Sequence, residues 1–227
     1  MLSLKKWRCV IGTALLLYMD ELTIGCMNRN NMEHEIINER FLGTIFGQAV
    51  GDALGLSTEF MSKQEVDRFY PNGIEDYSQI VQDDHRRRWQ RGDWTDDTDM
   101  MLCILDSFVA CQKVDILDIA RRFKEWMMNG GMGIGQHTYC LDDEKSMGYT
   151  LRTLGAALWA YWHATSYKEG ILKIVLSGGD ADTNAAVAGA ILGAKFGICH
   201  IPEEWRNGLL YASMLHNKVQ EFYAMYR

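Results

Sequence analysis

Proline is nearly missing from this chain of 227 residues, occurring only as Pro71 and Pro202, and alternating strand patterns are almost absent too. Lys173–Ser177 is the one arguable strand, so a sheet-based fold is excluded in favour of helix, which the abundance of Met, Ala, Leu and Glu also favours. No C-x-x-C pair and no H-x-x-x-H spacing accompanies the six scattered cysteines. A zinc site therefore lacks its ligand pattern, and the cysteines read as reduced thiols of a cytoplasmic protein. No excess of basic charge exists either: 23 Lys and Arg stand against 30 Asp and Glu, a formal net charge of −7. No global field draws the chain to nucleic acid or to acidic membranes. With 48% hydrophobic and 23% charged residues the chain has the makings of a globular core, which excludes a disordered tail or a disulfide mini-protein.

The apolar run Cys9–Met19, after Lys5, Lys6 and Arg8, is too short to span a bilayer, which takes about 20 residues. Asp20 and Glu21 follow at once, no clean cleavage site appears, and Thr23–Cys26 is a poor lipid-attachment box. Residues 1–33 are read as a dispensable leader or as sequence upstream of a start at Met32; a signal or anchor and a packed helix are the other readings. Residues 34–227 are read as one domain.

What is present is helical periodicity. Ile116, Ile119, Ala120, Phe123, Trp126 and Met127 trace one helix face, which Asp115 caps. Leu151, Leu154, Leu158, Tyr161 and Trp162 repeat the pattern, as do Leu102, Leu105 and Val109. Trp205, Leu209, Ala212, Val219 and Phe222 trace another stripe after Pro202, a residue suited to a helix start. The expectation is an all-α orthogonal bundle. Two further segments carry glycine every four residues: Gly43, Gly47, Gly51 and Gly55, then Gly189, Gly193 and Gly197. Each glycine in a helix interior costs about 1 kcal/mol relative to alanine. That spacing is tolerable where it lets two helix backbones approach closely, which would bring the helix ends together.

Acidic motifs sit at helix ends. Trp94-Thr95-Asp96-Asp97-Thr98-Asp99 precedes one helix and Gly178-Gly179-Asp180-Ala181-Asp182-Thr183 precedes the Ala/Gly-rich one. Either motif alone reads as ordinary capping, in which acids near an N-terminus contribute about 0.3–1 kcal/mol. A cap, however, needs one or two acceptors rather than two such clusters. If they meet, each pair of like charges about 4 Å apart costs on the order of 4 kcal/mol at an effective dielectric of 20, against a total stability of about 5–15 kcal/mol. A bound cation removes the conflict. Oxygen ligands from Asp and Thr select hard ions such as Mg²⁺, Mn²⁺ or Ca²⁺.

Gly51-Asp52-Ala53-Leu54-Gly55 with Glu59, then Trp94–Thr98, then Gly178–Thr183 with Ala185–Ala194, resembles the ADP-ribosylglycohydrolase family. The likeness covers about Phe41–Tyr139 and Gly148–Trp205. It implies an all-α fold with two Mg²⁺ or Mn²⁺ ions, hydrolysing ADP-ribose from a modified protein side chain or from a small ADP-ribose conjugate. It implies Thr95, Asp96, Asp97, Asp180, Asp182 and Thr183 as metal ligands and Asp52 as their support. Asp97 or Glu59 handles the proton, and Gly133 and Gly135 in the glycine-rich Gly130–Gly135 stretch are candidate substrate contacts. The attacking water meets an oxocarbenium-like transition state that nearby carboxylates stabilise.

One departure is plain. Members of the family carry several more helices where this chain has only His137–Gly148, so part of the cleft wall is missing. The expected consequence is a weaker hold on the adenosine end, or a wall supplied by a second subunit. A non-catalytic relative that binds ADP-ribose or serves structurally is the alternative. The run His85-Arg86-Arg87-Arg88 with Trp89 and Arg91 reads as a solvated loop, with diphosphate contact as the other option. His137 and His163 read as structural or surface residues. Asp180-x-Asp182 after Ile174-Val175-Leu176 also suggests an aspartate-nucleophile phosphatase, but the parallel βαβ pattern is missing.

Overall fold

A computed structural model describes residues 31–129 and 149–225. Among them every regular element is helical: α1 (Asn31–Gly55), α2 (Lys63–Phe69), α3 (Asp96–Cys111), α4 (Ile116–Met128), α5 (Tyr149–His163), α6 (Tyr167–Val175), α7 (Ala181–Phe196), α8 (Glu203–Gly208) and α9 (Ala212–Ala224), with three short 3₁₀ turns. The fold is all-α. No helix among the described residues is long and apolar enough to cross a membrane. The leader read at residues 1–33 lies outside the described residues up to position 30, and α1 begins at Asn31.

α1 is the central post. Every residue from Phe41 to Glu59 is buried, which explains why apolar and small residues go round this helix rather than along one stripe, with Gln48, Asp52 and, just past its end, Glu59 as buried polar exceptions. It packs antiparallel on α7. A Cβ on Gly193 would fall 1.8 Å from the Gly43 carbonyl oxygen, one on Gly51 2.1 Å from that of Ala185, and one on Gly55 2.4 Å from the Asp182 Cα. No side chain fits between the two backbones. Tyr167 of α6 seals the contact by donating its hydroxyl to the Gly47 carbonyl at 2.7 Å. The opposite face of α1 meets α9, where Phe41 stacks on Phe222 at 4.7 Å. α8 starts after Pro202, and buried Trp205 donates its ring N–H to the Glu75 carbonyl at 2.6 Å.

Leu102, Leu105, Leu209, Val219 and Phe222 are buried as their spacing predicts. Asp115 caps α4, accepting from the amides of Leu117 and Asp118. Three expectations are corrected. Lys173–Ser177 is no strand; its first half closes α6, where Ile171, Ile174 and Val175 turn inward at helical spacing. In α5 the buried face is Thr153, Ala157 and Ala160, while Leu158, Tyr161 and Trp162 face outward. Small residues win there because α5 packs closely against the Ala-rich α7. In α4 no residue is fully buried; Ile119, Ala120, Phe123 and Trp126 are half-covered and Ile116 and Met127 are exposed. His163 is a surface residue stacked on Trp159, as expected, and Cys103, Cys111 and Cys199 are free thiols. Gly133, Gly135 and His137 lie outside the described residues.

Candidate active site

The antiparallel glycine contact sets the C-terminal end of α1 against the N-terminal end of α7, and α3 starts beside both. The joint is made by Asp52, a fully buried residue of α1. Its Oδ1 accepts the amide and hydroxyl of Thr95 at 3.1 and 2.7 Å, and its Oδ2 accepts those of Thr98 at 3.0 and 2.6 Å. An acid from another helix thus caps α3, and Thr95, at the cap position, makes no cap bond of its own. Gln48, one turn earlier, donates to the Asp97 carbonyl at 3.1 Å. Asp52 therefore takes over the capping of this helix start, while the Asp96 carboxylate engages only its own amide and that of Asp97 the Thr183 hydroxyl. Asp99 is used structurally, taking the ring N–H of Trp94 and of Trp126, each at 2.9 Å.

Asp96, Asp97, Asp180 and Asp182 come together with Asp52 and Glu59. The charges that act most on Asp182 are Glu59, Asp97, Asp52 and Asp180, all carboxylates. Burial, then the negative neighbours, push Asp97 and Asp182 well above the usual carboxylate range. Burial and Asp52 raise Asp96 to about 7, and burial raises Asp52 itself to about 6 against the pull of its four hydrogen bonds. Burial also raises Asp180. The Thr183 hydroxyl serves both Asp97 and Asp180 and favours their charged forms.

Glu59 ends the turn after α1. Arg86 is buried against this turn, its Nε donating to the carbonyls of Leu56 and Ser57 at 3.0 and 2.8 Å and its Nη2 to the Glu59 carbonyl. Arg87, Arg88 and Arg91 of the basic run are exposed, whereas Arg86 is buried, so the loop reading is corrected for Arg86. The last carbonyls of a helix lack partners within the helix, and this guanidinium supplies donors just beyond them. Across the turn, Phe60 donates its amide to the Gly179 carbonyl at 2.6 Å and Gly179 donates to Met61 at 2.9 Å. Gly178 has φ +71°, and a Cβ there would fall 2.3 Å from the Met61 carbonyl oxygen, so only glycine fits beside the turn. Gln48, Thr98, His85 and Arg86 are contributors that the sequence reading missed. Thr98 was legible as the second threonine of Thr-Asp-Asp-Thr, one turn from the first. Nothing separates Arg86 from its neighbours in a run of three arginines.

The residues fit a hard divalent cation in kind. Asp182 is buried, and its Oδ1 has no hydrogen-bond partner. An orphan carboxylate oxygen among other carboxylates is a costly arrangement that a cation satisfies. Among the described residues, no three acidic, His or Cys side chains already stand as a metal cage. The fit therefore lies in the donor chemistry, and loading a cation would require the side chains to draw in.

The ADP-ribosylglycohydrolase family model matches residues 33–142 and 136–226. The chain belongs to the ADP-ribosylglycohydrolase family. The chain is 36% identical over 84 residues to an ADP-ribosylarginine hydrolase Tri1 of Serratia proteamaculans (strain 568), covering 37% of this chain and 23% of that protein. The corresponding figures for the Tri1 of Pseudomonas putida (strain GB-1) are 35% over 82 residues, 36% and 22%. The matched region spans less than a quarter of either relative. The ADP-ribosyl-[dinitrogen reductase] glycohydrolase of Rhodospirillum rubrum is 23% identical over 279 aligned positions, covering 76% of this chain and 91% of that enzyme. That alignment is longer than the whole chain, so the relative carries insertions. A solved ADP-ribosylglycohydrolase-related protein complex shares the fold, with a TM-score of 0.62 at 20% identity, over 84% of this chain and 99% of that one.

Proposed function

We propose that this member of the family hydrolyses the glycosidic bond between ADP-ribose and an acceptor, with an ADP-ribosylated protein arginine as the first substrate to test. The observation that carries the reading is the convergence of Glu59, Asp97, Asp52 and Asp180 on buried Asp182, whose Oδ1 is unpartnered. Thr95, Asp96, Asp97, Asp180, Asp182 and Thr183 would hold two Mg²⁺ or Mn²⁺ ions. Such ions, when bound, neutralise the acids and make a water more acidic. Glu59 is the better placed of the two proton-handling candidates: it carries an anchor outside the cluster, whereas Asp97 sits among the ligands. Glu59 takes a proton from the attacking water as its oxygen bonds to the anomeric carbon. The bond to the acceptor breaks, and the leaving nitrogen or oxygen receives the proton that Glu59 took from the water, which returns Glu59 to its charged form. The surrounding carboxylates stabilise the positive charge that develops on the ribose.

The test is release of free ADP-ribose from an ADP-ribosylated arginine protein, with Mn²⁺ or with EDTA. Turnover with the metal, none with EDTA, and loss of both turnover and Mn²⁺-induced thermal stabilisation in Asp182→Ala are the expected results. Full activity in EDTA would overturn the reading. A second reading, ADP-ribose binding without turnover, is favoured by the short His137–Gly148 connection and by the insertions in the Rhodospirillum rubrum relative. Metal-dependent binding of ADP-ribose with no release from any linkage would establish it.

A further inference from the structure

Resting on that reading of Glu59, we propose that His85 is a positioning residue that fixes the Glu59 carboxylate through a single imidazole tautomer. His85 Nε2 lies 2.5 Å from Glu59 Oε2, and its Nδ1 faces Arg88 Nη2 within hydrogen-bond reach. A guanidinium carries donors only, so the nitrogen facing Arg88 must be the acceptor. The proton then sits on Nε2 and is donated to Glu59, with the ring neutral. Arg88 is itself fixed: its Nε donates to the His85 carbonyl at 2.9 Å, and its guanidinium lies 4.6 Å from the Trp89 ring centroid. The imidazole is wedged between Phe60 and Trp89, at centroid distances of 5.1 and 5.4 Å.

The wedge explains a second oddity. Phe60 is 71% exposed yet holds a φ of +61°, a left-handed conformation that bulky residues rarely adopt. Its amide is pinned to Gly179, and in that conformation its ring closes one side of the imidazole. Arg86 holds the Glu59 main chain from below while His85 holds the side chain. With Oε2 engaged, Oε1 is left to receive the proton. Asp52 is held as firmly, but through both of its oxygens, so neither is left over, whereas Asp182 Oδ1 has no partner at all. Fixing a reacting group in its productive geometry lowers the barrier without contributing to substrate affinity.

The experiment has two arms on the full chain. In the first, two-bond ¹H–¹⁵N NMR at pH 7.5 reads the tautomer of His85, assigned by the signal missing from His85→Gln. The Nε2–H form is expected in the wild type, and a mixture of the two tautomers in Arg88→Ala, which removes the donor facing Nδ1. An Nδ1–H form, or an average of both, in the wild type would overturn the proposal. In the second arm, His85→Ala should lower kcat about 10- to 100-fold, with KM and Mn²⁺-induced thermal stabilisation unchanged. His85→Gln, which keeps a donor at the same reach, should recover most of the rate. Wild-type kcat in His85→Ala would overturn it, as would equal losses of kcat, KM and stability in both variants. A wild type with the expected tautomer but no turnover refutes the hydrolase reading instead, and with it any catalytic use of this bond; turnover with the wrong tautomer refutes His85 alone.

Discussion

α1 and α7 touch backbone to backbone, whereas among the described residues α4 touches its surroundings through half-covered side chains. The sequence advertises them in reverse. α4 has the cleanest apolar stripe in the chain, and α1 and α7 have almost none. The difference teaches that an apolar stripe reports which face a helix would bury given a neighbour, not whether the neighbour is there. A stripe of glycines is more specific. It weakens the helix in isolation, so it persists only where a second backbone fills the space. The same contact does chemical work in this fold, because it brings the Glu59 turn, the Thr95–Asp97 start and the Asp180–Thr183 start to one place.

The comparison breaks most readily at glycine. Gly193→Ala sets a Cβ 1.8 Å from the Gly43 carbonyl oxygen, a backbone atom that cannot swing aside. Overpacking commonly costs 1–3 kcal/mol, and here both helices must separate, so a loss of at least about 3 kcal/mol in urea unfolding is expected. Gly155→Ala on the exposed side of α5 meets nothing within 4 Å and should stabilise by about 0.5–1 kcal/mol. Equal effects at the two sites would show that α1 and α7 are not in backbone contact.

The next effect separates the acid-loaded end of the α1–α7 pair from the rest. Asp52 and Asp96 are raised to about 6 and about 7 in the folded chain, from the ordinary 3.8. A folded state that binds protons more tightly than the unfolded one is favoured at low pH. The stability these groups contribute is present below about pH 4 and lost as pH rises through 6 and 7. Metal-free protein should therefore lose on the order of 3 kcal/mol between pH 5 and pH 8, and Mn²⁺ should restore it at pH 8. Chemical unfolding in EDTA and in Mn²⁺ reads both. A metal-free stability that is flat or rising over this range would mean that the acids do not meet.

Much of this was legible in the residues, and the failures have physical reasons. The glycine spacing indicated the central contact, and the three acidic motifs indicated which ends would meet. Asp52 reads as support for the ligands, and in the structure it holds the Thr95 and Thr98 amides and hydroxyls by four hydrogen bonds. Bulk is a poor mark of the buried face of α5, because alanine is what fits against a small-residue helix. Arg86 and His85 were invisible for another reason. A basic run looks the same whether its members face water or a neighbouring carbonyl, and only the turn after α1 distinguishes them.

The looser half gives smaller effects. Trp126 ties α4 to α3 by donating to Asp99, so Trp126→Phe should cost about 1 kcal/mol, the worth of one partly buried hydrogen bond to a charged group after its ring packing is kept. Hydrogen exchange should then rise in α4 without rising in α1, since local opening follows local contact.

The smallest effect is expected at the tip of the same helix. Leu117 is 82% exposed and follows the Asp115 cap without being part of it, because Asp115 binds the Leu117 amide and not its side chain. Removing an apolar side chain that already faces water withdraws no buried area. Leu117→Ser should therefore shift stability by no more than about 0.5 kcal/mol. Serine's lower helix propensity is a few tenths of a kcal/mol of that at most. A loss above about 1 kcal/mol in urea unfolding would show that the outer face of α4 is covered in solution. It would then be an unrecognised packing surface, and the contrast with the α1–α7 pair would narrow to a difference in the kind of neighbour.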